Sequence, residues 1–135
     1  MKARRSLEEL LQEVCEALCA PLPFRRGQAN DRREIGELFQ GLRRTLKDRA
    51  KAQLQSIEPL LKHLEADVGA TLNVEAHASR SRSARSEVED ALKRIEALDR
   101  EWTCQTCRTR IWHRGTPESG RCKCGESTFP PVRAN

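Results

Sequence analysis

Four cysteines near the C-terminal end constrain this chain more than any other feature. Cys104 and Cys107 are separated by two residues, Cys122 and Cys124 by one, and fourteen residues lie between the two pairs. A Cys-x-x-Cys turn aims two thiolates at one point, and backbone N–H groups of the same turn can donate to the sulfurs. Two such turns, one at each end of a hairpin, supply the four soft donors that a tetrahedral zinc ion takes. A disulfide framework would spread its cysteines along the chain, whereas only Cys15 and Cys19 lie elsewhere. The expected cofactor is therefore Zn²⁺, held by Cys104, Cys107, Cys122 and Cys124 in a reducing, cytoplasmic setting. Replacement of one thiolate by His113, and redox or disulfide use of the pairs, are the alternatives. Catalysis by the metal is not expected, because four thiolates leave no open position and the local carboxylates, Glu118 and Glu126, stand in no His-x-Glu setting.

The run from Trp102-Thr-Cys-Gln-Thr-Cys107 to Cys122-Lys-Cys-Gly125 resembles the zinc-ribbon class over about residues 102–130. The resemblance implies a small β unit, residues 102–135, stapled by its metal. It departs from the usual pattern at the second knuckle, where a single residue between the cysteines makes that pair tighter. Between the knuckles, Arg108, Arg110, Trp112 and Arg114 occupy alternate positions. A strand over residues 108–114 would put three guanidinium groups and an indole on one face. Such a face suits phosphates and a stacked base, the two sequence-tolerant terms in single-strand binding. In the plainer reading Trp112 packs on Trp102 or on the last helix and the arginines are solvated.

The remainder, residues 1–101, reads as helical. Aromatics are 4% of the chain, charged residues 33%, and Tyr is absent, so unbranched helix formers dominate and a large mixed core is not expected. A first helix is expected from Ser6, as N-cap, to about Cys19, with Leu7, Leu10, Leu11, Val14, Cys15, Leu18 and Cys19 on one face. Pro21 and Pro23 end it, and a connector to Asn30 leads into a helix capped by Asn30 or Asp31. From Ile35 to Leu72 apolar positions recur about every 3.7 residues, which predicts one nearly straight helix, kinked or restarted at Pro59 with Ser56 as cap. Residues 69–86 lose the pattern and read as a linker. A last helix is expected from Ser86, with Glu89 completing a capping box, and carries Val88, Ala91, Leu92, Ile95, Leu98 and Trp102. Its steps average 3.5 residues, so it should lie antiparallel to the long helix as a coiled-coil-like hairpin. The expected fold class is mostly α, a helical hairpin or coiled-coil-like bundle with a small C-terminal β zinc ribbon.

Several function classes fall away. Glu8, Glu9, Glu13 and Glu16 interrupt the first apolar stretch, so neither a signal peptide nor a membrane span is expected. No glycine loop precedes a Lys-Ser or Lys-Thr pair, no nucleophile elbow occurs, and His63, His77 and His113 show no pairing with a carboxylate or cysteine. An enzyme with a small-molecule substrate is therefore not expected. Cys15 and Cys19 read as core residues of the first helix rather than as half of a second metal site. Arg80, Arg82 and Arg85, interleaved with serines, read as a solvated linker, with phosphate contact or modification as the sharper alternative. The net charge is +5, with +4 of it carried by residues 102–135, which suits an anionic partner. The expected role is a non-catalytic accessory subunit that binds DNA or RNA. The alternative is a protein-interaction adaptor or regulatory subunit, associating with a partner or with itself through surplus apolar surface on the helices. A C-terminal piece of a multidomain ATPase or defence protein is a third reading compatible with the residues.

Overall fold

The structure, a computed structural model, describes residues 2–21, 35–69, 82–116 and 119–131. Among the described residues there are four helices, α1 (Lys2–Ala17), α2 (Ile35–Arg49), α3 (Lys51–Asp67) and α4 (Arg82–Arg100). Three short strands follow, β1 (Arg114–Thr116), β2 (Ser119–Arg121) and β3 (Thr128–Phe129), in an antiparallel sheet of order β1-β2-β3. Helix α1 packs on α2, α2 on α3, α3 on α4 and α4 back on α1, so the helices close a ring around one core. The apolar stripe of α1 enters that core as expected: Leu7, Leu11, Val14, Cys15 and Leu18 are all buried. Cys19 is exposed, beyond the end of the helix and in a left-handed conformation.

The long apolar run from Ile35 does not form one helix. It breaks at Ala50, whose backbone sits at φ −147° and ψ 59°, and not at Pro59, which lies inside α3. The break folds the chain back on itself. Arg43 Nε donates to Glu58 at 2.9 Å and the same side chain reaches Glu65, whereas fifteen residues of straight helix would separate Arg43 and Glu58 by about 22 Å. The energetics favour the fold-back. Interrupting the ladder forfeits a few backbone hydrogen bonds worth about 1 kcal/mol each. Placing Leu38, Phe39, Leu42, Leu46, Ile57, Leu61 and Leu64 in one core gains about 1.5–3 kcal/mol per side chain. Ala50 is itself buried, and its small side chain lets the two helices meet closely at the corner. Pro59 is tolerated because it and Gln55, whose carbonyl loses its donor, are both exposed to water.

Helix α4 runs antiparallel to α3. Arg94 clasps Asp67 with two bonds of 2.6 and 2.7 Å near one end of the pair, and Gln53 meets Glu101 at 3.5 Å near the other. Because α4 also packs on α1, it has two neighbours rather than the single partner of a coiled-coil hairpin. None of the three serines expected to cap a helix does so. Ser6 lies within α1 and Ser86 within α4, each four residues past the start, and Ser56 lies within α3, whose N-cap is Ala50. A side-chain cap is worth only about 1 kcal/mol, and the residues upstream, Lys2 to Arg5 and Arg82 to Arg85, include good helix formers that extend each helix at little cost. The expected linker over residues 69–86 is accordingly shorter at its C-terminal end. Its residues 70–81, Arg80 among them, and the expected caps Asn30 and Asp31 lie outside the described residues.

Closure of the ring buries most of the apolar stripes of the described helices. Among the described residues, Leu92 is the large hydrophobic side chain left exposed. Among the described residues no helix is long and apolar enough to cross a membrane. Substituting Leu61→Ala, at a side chain with no exposed surface, is expected to lower the unfolding free energy by about 2–5 kcal/mol in urea titrations. The same truncation at Leu92 should stay within about 0.5 kcal/mol; equal effects at the two positions would contradict this core.

Candidate metal centre

The cysteine-rich end begins where α4 stops. Trp102, fully buried, plugs the core at the end of the helix, and its carbonyl accepts the N–H of Ile111 at 3.1 Å. The Cys104 N–H donates to the Thr109 carbonyl at 2.9 Å, and Thr103 bridges to Arg110. Residues 102–104 and 109–111 thus face each other as the two arms of a tight hairpin. Its tip is the first knuckle, closed by the Arg108 N–H on the Cys104 carbonyl at 2.9 Å, with Arg108 in a left-handed conformation. The second knuckle follows β2. There the Cys122 N–H donates to the Ser127 carbonyl, the Gly125 N–H donates to the Cys122 carbonyl, and Gly125 takes φ +83°, a region that favours glycine.

These two turns bring the four sulfurs within 4.8 Å of one another. Cys104 Sγ lies 3.7 Å from Cys124 Sγ, and Cys122 Sγ lies 3.5 Å from Cys124 Sγ. Both separations are far beyond the roughly 2.05 Å of a disulfide, and none of the four cysteines is in a disulfide. The quartet can hold a metal ion. Cys104 and Cys122 are buried, Cys107 is partly buried and Cys124 is exposed, so the donor set is tied inward on one side and reaches solvent on the other. His113 is exposed and does not belong to the cluster.

A shell of hydrogen bonds tunes the sulfurs. The Thr109 hydroxyl lies 3.0 Å from Cys107 Sγ and accepts the Lys123 N–H at 2.8 Å, so one side chain joins the two knuckles. Through that hydroxyl first, and the Thr109 backbone N–H second, the Cys107 thiol is held down to about 5. The Ser127 hydroxyl and the backbone N–H of Cys107 lower Cys104 to about 7. Cys124 goes the other way, up to about 12. The Glu126 N–H favours its thiolate, but burial and its bonds with Cys122, Cys107 and Cys104 outweigh that. The Ser127 N–H donates to Cys122 Sγ at 3.2 Å. Without a cation the quartet is therefore a mixed set of thiolates and thiols sharing protons, and a metal must displace those that remain. Thr109 and Ser127 were not among the residues singled out from the sequence. A hydroxyl two residues after Cys107 and three after Cys124 was the only signal available for them.

The basic residues between the knuckles are arranged differently from the expected strand. β1 begins only at Arg114, residues 111–113 form a turn, and the left-handed Arg108 prevents a continuous strand. Arg108, Arg110, Trp112 and Arg114 consequently do not share one face. Arg108 is exposed and bonds Gln105. Arg110 turns back toward the helices: it pairs with Asp99 of α4, bonds Thr103 Oγ1 at 2.7 Å, meets Glu13 of α1 at 2.8 Å and lies over the Trp112 ring. Trp112 is half-buried and packs against the core. β2 is held close to the same turn at Gly120, where a Cβ would come within 2.7 Å of the Ile111 carbonyl oxygen.

The structure brings together a different basic set. Arg114 is the direct cross-strand partner of Arg121, Lys123 follows two residues later, and all three line one open concavity beside Cys122 and Cys124. All three are exposed, and none forms an ion pair with a described carboxylate.

Two outcomes follow for metal binding. Affinity should fall with acid throughout the neutral range, because Cys124 must give up its proton, more steeply as pH drops through about 7, where Cys104 takes up a proton, and more steeply again through about 5, where Cys107 does; chelator competition across that range measures it. Thr109→Val, which deletes the hydroxyl but keeps the shape, should weaken metal binding by roughly 10- to 100-fold, and an unchanged affinity would refute its role in tuning Cys107. No family model, curated protein or solved structure matches this chain.

Proposed function

We propose that the chain is a non-catalytic zinc-ribbon module that works as a nucleic-acid-associated accessory protein in a reducing compartment. The helical ring serves as a rigid base, and the metal fixes a small cationic sheet at its end. Zinc is favoured over other ions by the donor set. Four thiolates and no oxygen or nitrogen ligand suit a soft or borderline ion. The sulfur separations of 3.5 and 3.7 Å are close to the roughly 3.8 Å edge of a tetrahedron with Zn–S bonds of about 2.3 Å. A closed four-thiolate shell leaves no position for substrate or water, so the ion's role is structural.

The observation that carries the nucleic-acid reading is the pairing of Arg114 with Arg121 across β1 and β2, with Lys123 beside them. Like charges placed directly opposite on neighbouring strands destabilise a sheet. Folding alone gives no reason to gather three cations there, whereas an anionic ligand relieves their repulsion. Guanidinium groups match phosphate oxygens in a two-pronged geometry, and strand-borne side chains are held ready for it. The +4 charge of residues 102–135 adds a longer-range attraction.

Two measurements test this reading. Metal analysis should find one zinc per chain, and cobalt substitution should give the thiolate charge-transfer and tetrahedral bands of a four-sulfur site. The exposed triple variant Arg114→Gln, Arg121→Gln, Lys123→Gln should remain folded and zinc-loaded while losing roughly 100-fold or more in affinity for nucleic acid at about 0.1 M salt. A variant that binds as tightly as the parent sinks the proposal.

A further inference from the structure

We infer that the ligand of the Arg114–Arg121–Lys123 face is a nucleic-acid duplex, gripped by its phosphate backbone and not by its bases. The inference rests on the nucleic-acid reading above and sharpens it. Proteins that hold single strands without sequence preference combine cations with exposed aromatic rings on which bases stack, each ring contributing about 1–3 kcal/mol per base. Such a ring is missing from this face. Among the described residues, Phe39, Trp102 and Phe129 are buried, and Trp112 is half-buried with one approach taken by the Arg110 guanidinium. Arg110 cannot swing out without leaving Asp99, Thr103 and Glu13, so that approach to the indole stays taken.

What the face does offer is charge at fixed spacing. Arg114 and Arg121 are register partners, so their Cα atoms stand about 5 Å apart, as opposed residues in an antiparallel pair do. Lys123 extends the same exposed edge while the intervening Cys122 is buried within the sulfur cluster. The residues flanking the cations, Gly115, Thr116 and Ser119, are small and exposed, so a rigid backbone can approach without a clash. A surface that reads only phosphate gains most where phosphates are densest, and a duplex carries one charge per roughly 1.7 Å of axis. Backbone-only contact also predicts indifference to base sequence.

The test uses the zinc-loaded full chain with a short duplex and each of its single strands, by fluorescence anisotropy between about 50 and 200 mM salt. Tighter binding of the duplex is expected, with log affinity falling against log salt at a slope of about −2.7 for three phosphate contacts. Each single change, Arg114→Gln, Arg121→Gln or Lys123→Gln, should shallow that slope by about 0.9. Changing the base sequence of the duplex should leave affinity within about threefold, less than the cost of one mismatched base contact in a sequence reader. Single strands that bind as tightly as the duplex, or that quench tryptophan emission on binding, overturn the duplex assignment while leaving the nucleic-acid role intact. Failure to bind any nucleic acid overturns both.

Discussion

Four sulfurs gathered within 4.8 Å of one another set the conditions for everything at the C-terminal end. Thiolates that close repel, and the proteins that keep them so neutralise them with a cation or with protons. Here the surrounding donors, Thr109 and Ser127 above all, push two of the four toward the thiolate form while a third holds its proton. The sheet itself is small: three strands of two or three residues, contributing Phe129 and the preceding Ile111 to the core. So little apolar area cannot order some thirty residues against their conformational entropy. A metal ion held by the cysteine quartet would supply the cross-link that burial does not, and the cationic edge lies beside that quartet, since Arg121 and Lys123 flank Cys122 directly.

The join between the sheet and the helices is the second determinant. Trp102 continues the apolar stripe of α4 past the end of the helix and is fully buried, so the hairpin of the first knuckle starts from a fixed point. Arg110 secures it from the other side, spanning Asp99 on α4 and Glu13 on α1. A residue that alternation placed on an outward binding face is in this way an internal strut. The cation that would have joined a stacking platform instead covers the indole, and the basic surface passes to the β1–β2 edge. That exchange changes the chemistry the module can offer, from stacking plus charge to charge alone.

Much of the outline was legible in the residues. Composition and the three- to four-residue apolar spacing identified a mostly helical chain, and the stripes of α1 and α4 are buried where the periodicity placed them except at Cys19 and Leu92, which are exposed, and Val88, which is half-buried. The cysteine spacing pointed to a single cluster, and the four thiols do converge. The antiparallel course of the last helix against the preceding one was also readable, from its length and its stripe. The errors share one cause. Serine caps, a helix restart at Pro59 and the strand over residues 108–114 were all inferred from local preferences worth about 1 kcal/mol or a few. Helix formers upstream outweighed the caps, exposure to water made Pro59 tolerable inside α3, and the left-handed Arg108 with the bonds of Arg110 to Asp99 and Glu13 broke up the strand.

Ala50 makes the division plain. Alanine is the best helix former, so nothing in its neighbourhood announces a corner, yet the chain turns there because two apolar stripes gain more by facing one core than one helix gains by staying whole. By itself, then, the sequence determined which residues must be removed from water and which sulfurs can share one ion, because periodicity and ligand spacing are local properties of the chain. Only the tertiary structure decided where the helices fold back, that Arg110 is spent on Asp99 and Glu13, and that Arg114 meets Arg121. Those outcomes depend on partners that lie from seven to nearly one hundred residues apart, and no local pattern encodes which partner wins.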